Sequence, residues 1–164
     1  MTGSRKSGTK VSGQQPEWPA LGGPWLLDVN VLLALLDPLH SQHVRAHAWF
    51  NAASACWASC VLTQNGALRI MAHRSYTNPV ASPAEAAQLL TQLCNAPGHR
   101  FWSCDLSLLN HPGIDPAKLL SHAQITDTYL LALAVKHGGK LATFDKRLVP
   151  DAVRGGAEAL HLIG

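Results

Sequence analysis

The chain has 164 residues, 47% of them hydrophobic, which suffices for one ordinary domain with its own core. A formal charge of +3 only mildly favours polyanionic partners, so charge alone decides nothing about function. No apolar run approaches the roughly 20 residues of a membrane-spanning helix, and the N-terminus lacks the apolar core of a secretion signal. The four cysteines include no Cys-x-x-Cys pair and are too few for a disulfide framework. We therefore predict a cytoplasmic protein with reduced thiols and no membrane partner.

Residues 1–24 are rich in Gly, Ser, Lys, Gln and Pro and show no hydrophobic period, so we predict a disordered N-terminal tail there. Residues 25–164 then form one domain in which apolar runs alternate with helical patterns. The predicted strands lie at 25–27, 57–62, 100–102, 140–143 and 160–163. The predicted helices lie at 30–36, 41–53, 64–73, 83–95 and 127–137, with Ser41, Thr63, Ser82 and Thr126 as N-caps of the last four. This alternation predicts a mainly parallel sheet covered on both faces, a three-layer α/β/α fold.

Three aspartates fall at the carboxyl ends of the predicted strands or in the first turn of a helix. Asp28 follows the first strand, Asp145 follows the strand at 140–143, and Asp127 begins the most apolar helix. Ligands of open parallel sheets bind at this edge, and a helix N-terminus stabilises a carboxylate placed there. Each residue alone is as well explained as a helix or turn cap, but together they predict a functional site.

Three clustered carboxylates repel one another, and a hard divalent cation compensates them. Oxygen ligands of this kind suit Mg²⁺ or Mn²⁺, which can activate water for attack on a phosphodiester. The sequence carries no Walker-type phosphate loop and no Gly-x-Ser-x-Gly elbow, so nucleotide-driven and serine-hydrolase chemistry lose support.

Four segments resemble motifs of the PIN-domain ribonucleases, in particular the VapC toxins of bacterial toxin–antitoxin pairs. These segments are LLDVNVLLALL at 26–36, TQNGALR at 63–69, ITDTYLLALA at 125–134 and LATFD at 141–145. The resemblance extends over nearly all of residues 26–163. It implies a PIN-like fold in which Asp28, Asp127 and Asp145 bind metal and catalyse cleavage of RNA, with Asn30 as a polar support.

Gln64 departs from the family pattern, which usually has a glutamate there. An amide oxygen can still contact a metal or a water, but it cannot act as an ionised base. The resemblance therefore implies a metal-dependent endoribonuclease toxin that cleaves structured RNA such as tRNA, forms a homodimer and is inhibited by a VapB-like antitoxin. The alternative is a catalytically weakened PIN-like module that only binds RNA or its antitoxin.

Several other residues are candidates for supporting roles. Thr126 and Thr143 could orient the aspartates, although capping and strand roles explain them equally well. Asp105 follows the third strand and is either near the same edge or a plain cap. Basic residues that could contact RNA phosphates are Arg69, Lys146 and Arg147. His40, His43 and His47 share one predicted helix face, where a metal site competes with simple solvation.

Overall fold

The computed structural model describes residues 23–53 and 56–164 and has a five-stranded, all-parallel sheet at its centre. The strand order is β3-β2-β1-β4-β5. The strands are β1 (Trp25–Leu27), β2 (Trp57–Cys60), β3 (His99–Trp102), β4 (Lys140–Thr143) and β5 (Leu160–Leu162). The helices are α1 (Val29–Leu36), α2 (His43–Ala53), α3 (Val61–Met71), α4 (Pro83–Cys94), α5 (Gln124–Lys136) and α6 (Gly156–Ala159). A 3₁₀ turn at Pro116–Lys118 interrupts the long connection before α5.

Alternate residues of the central strand point into two separate hydrophobic clusters. Trp25 and Leu27 pack into the cluster that α1 to α4 cover, whereas Leu26 packs into the one that α5 and α6 cover. Helix α5 is buried continuously from Thr128 to Ala134, as its apolar sequence predicts. The predicted three-layer α/β/α arrangement is therefore confirmed.

Two predicted helix caps are wrong because the helices begin three residues earlier. Helix α3 starts at Val61, and the Thr63 hydroxyl lies in its first turn, where it accepts from the Cys60 N–H at 3.0 Å. Helix α5 starts at Gln124, so Thr126 is an exposed residue of its first turn. The Gln124 side-chain oxygen instead fixes the preceding turn by accepting from the N–H groups of Leu120 and Ser121.

The remaining helix and strand boundaries agree with the prediction within about two residues. A third predicted cap, Ser41, is also wrong, because α2 begins at His43 and the residue before it is Gln42. Ser82 caps α4 as expected by accepting from the Glu85 N–H at 3.1 Å. The short helix α6 was not predicted. Most of the predicted N-terminal tail lies outside the described residues, but Pro24 is buried and its carbonyl accepts from the Lys140 N–H at 3.0 Å. None of the described helices has the length and apolarity that crossing a bilayer requires.

Candidate active site

Asp28 lies at the carboxyl end of β1 and is the N-cap of α1. One carboxylate oxygen accepts from the Val29 N–H at 2.6 Å, and the other accepts from the Asn30 amide at 2.8 Å and from the Thr143 hydroxyl at 2.6 Å. Asp28 as a whole is only 7% exposed. Burial, and to a lesser degree the charge of Asp145, raises the pKa of Asp28 in spite of these hydrogen bonds, which act to lower it.

Thr143 connects Asp28 to the other strand end of the site. Its hydroxyl is fully buried, donates to Asp28, and accepts from the Asn30 amide at 2.9 Å and from the Asp145 N–H at 3.0 Å. The Asn30 side-chain oxygen in turn accepts from the Phe144 N–H at 3.1 Å. Asn30 and Thr143 therefore join the ends of β1 and β4 into one hydrogen-bonded unit, the kind of support expected around a ligand carboxylate.

Asp145 forms an ion pair with Arg147. One Asp145 oxygen accepts from the Arg147 backbone N–H at 2.9 Å and from Nε at 3.0 Å, and the other accepts from a terminal guanidinium nitrogen at 3.2 Å. These hydrogen bonds with Arg147 hold the pKa of Asp145 below its usual value. The Arg147 side chain is 90% exposed, so the guanidinium is open to exchange its partner for another anion.

Asp127 lies in the first turn of α5 and lines a cleft of about 370 Å³ together with Asp145 and Arg147. Within the described residues, its carboxylate accepts no hydrogen bond. Burial raises the pKa of Asp127 to about 6, with further contributions from the charges of Asp28 and Asp145. The helix N-terminus was expected to keep this group ionised by itself, but burial and the two neighbouring carboxylates outweigh that effect.

The three aspartates therefore meet at one edge of the sheet, as the sequence predicts. In the described part of the chain, no three His, Cys, Asp or Glu side chains are arranged closely enough to enclose a metal ion. The oxygens of Asp28 and Asp145 instead accept hydrogen bonds from protein donors. The chemistry of the donor set nonetheless fits a hard cation, because Asp127 is a half-buried carboxylate repelled by two others. Asp127, Asp28 and Asp145 are the residues that would hold it.

Gln64 lies near the N-terminus of α3, but its amide is directed away from the aspartates. Its Nε2 donates to the buried Ser59 hydroxyl at 2.9 Å and approaches the Cys94 sulfur at 3.9 Å. No hydrogen bond joins Gln64 to Asp28, Asp127 or Asp145 among the described residues. Its role as a fourth site residue therefore stays a prediction.

The basic residues singled out from the sequence lie in two different places. Lys146 and Arg147 are exposed beside Asp145. Arg69 lies on α3 and lines a larger cavity of about 460 Å³ that contains none of the three aspartates. Thr126 is exposed and makes no hydrogen bond to an aspartate within the described residues, so its role in orienting ligands has no support from the contacts.

The remaining polar candidates have local structural partners. His43 and His47 contact the carbonyls of Ala34 and Leu35 at 2.8 and 3.0 Å, which otherwise lack partners at the end of α1. The histidines thus stabilise a helix end, and among the described residues they belong to no group of three or more side chains that could hold a metal ion. Asp105 is paired with Lys136 at 2.8 Å rather than with the aspartate site.

Residues 25–150 match the PIN domain family. The chain belongs to this family. Among its relatives, ribonuclease VapC44 of Mycobacterium tuberculosis is 48% identical over 138 residues, which cover 84% of this chain and 96% of the relative. Ribonuclease VapC39 of the same organism is 39% identical over 136 residues, covering 82% and 98%. This PIN domain is therefore of the VapC type.

One solved structure confirms the fold of this PIN domain. M. tuberculosis VapC20, described as a toxin that cleaves the sarcin–ricin loop, superimposes with a TM-score of 0.53 over 75% of this chain and 91% of that one. The two sequences are only 14% identical, so the likeness concerns the fold alone.

Sequence reasoning missed two polar residues of this PIN domain. Ser59 lies inside a buried strand, and His99 begins the next strand, 40 residues further on, yet their side chains are 2.8 Å apart. Nothing in the local sequence distinguishes Ser59 from an ordinary small strand residue. The only signal in the sequence was Gln64. Its NH₂ group needs a hydrogen-bond acceptor, which a glutamate carboxylate does not.

Replacing Arg147 with glutamine should raise the pKa of Asp145 in this PIN domain toward its ordinary value. The reason is that Arg147→Gln removes the guanidinium whose hydrogen bonds lower that pKa. A carbon-detected NMR titration of the aspartate carboxyl groups measures the pKa of Asp145. Lys146→Gln is the matched control, since it removes the adjacent exposed charge but no described contact of Asp145. Equal titration curves for the two variants would contradict the assignment.

Proposed function

We propose that this protein is a metal-dependent endoribonuclease toxin of a type II toxin–antitoxin pair. The observation that carries the proposal is the environment of Asp127, a half-buried carboxylate that the charges of Asp28 and Asp145 repel and that has no hydrogen-bond donor among the described residues. A divalent cation, Mg²⁺ or Mn²⁺, would supply the missing positive charge and activate a water for attack on the phosphodiester. Relatives named as ribonucleases support the same chemistry.

Different residues of this chain would have different roles at the site. Asp28, Asp127 and Asp145 hold the cation, while Asn30 and Thr143 keep Asp28 and the Asp145 backbone in fixed positions. Arg147, with its exposed guanidinium, and the neighbouring Lys146 are suited to bind an RNA phosphate beside the carboxylates. Binding of a phosphate would draw Arg147 away from Asp145 and so return that carboxylate to the cation.

The substrate and partners follow from the VapC relationship. We propose structured RNA such as tRNA as the substrate, a VapB-like antitoxin as the inhibitor, a homodimer as the assembly, and the cytoplasm as the compartment. The second candidate function is a weakened module that binds RNA or antitoxin without cleavage. Gln64 favours that alternative, because its neutral amide cannot supply a negative charge and its NH₂ group is hydrogen-bonded to Ser59 rather than to the aspartates.

Cleavage of purified total RNA tests the proposal. We expect discrete fragments with the wild-type chain in Mg²⁺, and no fragments in EDTA or with Asp127→Ala purified identically. Asp105→Asn is the matched control, since it removes an aspartate that pairs with Lys136 outside the site, and it should cleave as the wild type does. If the wild type and Asp127→Ala give the same products, contaminating nuclease explains them and the binding module becomes the leading function.

A further inference from the structure

A chain of hydrogen bonds runs behind the active site from α3 through β2 to β3. Gln64 Nε2 contacts the Ser59 hydroxyl at 2.9 Å, and that hydroxyl contacts His99 Nε2 at 2.8 Å. The His99 ring also forms a hydrogen bond with the backbone carbonyl of Cys94 at the end of α4, and Nδ1 is the ring nitrogen that the contact with Ser59 leaves for it. Ser59 is fully buried, and the His99 ring lies against Trp57 with centroids 4.4 Å apart. Among the described residues, none of these hydrogen bonds involves Asp28, Asp127 or Asp145.

The direction of every proton in the network follows from the acceptor at its far end. The Cys94 carbonyl can only accept, so His99 must carry its proton on Nδ1. A neutral imidazole then has Nε2 as an acceptor, and Ser59 must give its single proton to that nitrogen. Burial of His99 lowers its pKa, in keeping with a neutral ring. Ser59 therefore has only lone pairs left for Gln64, which must present its NH₂ group.

We infer that Ser59 and His99 are positioning residues for Gln64, fixing its NH₂ group toward Ser59 and leaving its carbonyl oxygen without a donor among the described residues. The functional consequence of this inference rests on the proposed function, because a fixed amide oxygen at this edge would affect activity only in a metal-dependent nuclease. Gln64 lies in the helix that follows β2, the strand adjacent to β1 and Asp28, and it is half-exposed. Its oxygen is thus available to accept a hydrogen bond from a ligand at this edge of the sheet.

The same network explains why glutamine rather than glutamate suits this chain. A carboxylate at position 64 would compete with His99 Nε2 for the one proton of Ser59, and one of two acceptors would lose its donor. We expect Gln64→Glu to lower the melting temperature by about 3 to 6 °C. The loss should be smaller when His99→Phe has already removed the competing nitrogen, since the two sites are coupled through Ser59.

The orientation is measured by NMR on the ¹⁵N-labelled full chain, which needs neither RNA nor metal. We expect long-range spectra to show His99 protonated on Nδ1 and hydrogen-bonded as an acceptor at Nε2. The side-chain NH₂ of Gln64 should exchange slowly with water, and Ser59→Ala should abolish that protection. Ser75→Ala is the matched control, because Ser75 forms an exposed contact with His73 Nδ1 at 2.7 Å and has no link to Gln64.

The functional consequence is measured separately with Mn²⁺ binding and RNA cleavage. Ser59→Ala should reduce both by about tenfold, as expected for the loss of a residue that orients a site group. His99 protonated on Nε2, or unchanged exchange of the Gln64 amide in Ser59→Ala, would overturn the inference whatever the enzyme does. If the NMR results hold and the wild type cleaves no RNA, the proposed function fails while the orientation of Gln64 stands.

Discussion

Asp127→Asn should lower the rate of RNA cleavage at least about 100-fold and, in the absence of metal, make the protein more stable at pH 7.5. The two effects have one cause. Asp127 is repelled by Asp28 and Asp145 and is partly removed from water, so its negative charge is costly to the fold unless a cation binds there. Asparagine keeps the shape of the side chain, removes the charge and leaves the cation a weaker site.

The sign of the pH dependence follows from the raised pKa. The folded protein binds a proton at Asp127 at a pH of about 6, whereas the unfolded chain binds it near 3.8. The contribution of Asp127 to stability in EDTA should therefore rise as the pH falls from above 6 toward 4, because the native state takes up the proton at this group first. Asp28, whose pKa is also raised, acts in the same direction. The lowered pKa of Asp145 acts oppositely below 3.8. Three partly buried histidines also act oppositely, because burial lowers their pKa values from 6.5: His99, His137 and His161. The effect of Asp127 is therefore measured as the difference between the wild type and Asp127→Asn.

Thermal unfolding at pH 5 and pH 7.5, in EDTA and in Mg²⁺, measures these effects. In the wild type, Mg²⁺ should raise the melting temperature more at pH 7.5 than at pH 5, since protons compete with the cation. In Asp127→Asn, the metal-induced shift should be largely lost. Between pH 7.5 and pH 5 in EDTA, the melting temperature of this variant should gain less, or fall more, than that of the wild type. Asp105→Asn should retain the wild-type metal response. A metal shift that survives Asp127→Asn would place the cation elsewhere.

The sequence predicts those parts of the site whose positions follow from the direction of the parallel strands. Asp28 and Asp145 follow parallel strands, and Asp127 opens the helix buried against them, so topology alone brings the three to one edge. Helix starts were less predictable: Thr63 and Thr126 have the chemistry of caps, but strand length and the Gln124 turn decide where α3 and α5 begin.

Contacts between distant residues could not be predicted in this way. Arg147 was expected beside a phosphate, and the structure pairs it with Asp145 because a residue two positions away can fold back onto the same carboxylate. The contact between Ser59 and His99 depends on the register of β2 against β3, which places Trp57 opposite His99. A single sequence contains no direct record of that register, because both strands are only four residues long.

Thr143→Val should destabilise the protein by about 3 kcal/mol, a fall in melting temperature of about 10 °C. Valine fills the same buried space but removes a hydroxyl that donates to Asp28 and accepts from Asn30 and from the Asp145 N–H. The loss is large for one oxygen atom because Asp28 is buried, and a buried carboxylate deprived of a donor bears the full cost of its desolvation.

Thr126→Val is the matched control, since it makes the same chemical change at an exposed position of α5 and should alter stability by less than about 0.5 kcal/mol. Urea denaturation of both variants measures the difference, and cleavage assays well below the unfolding transition separate stability from catalysis. We expect Thr143→Val to be about tenfold slower while folded, because Asp28 and the Asp145 backbone are no longer held together. If Thr143→Val is as stable and as active as Thr126→Val, the hydroxyl does not organise the site, and the aspartates must be held in place by the strand ends alone.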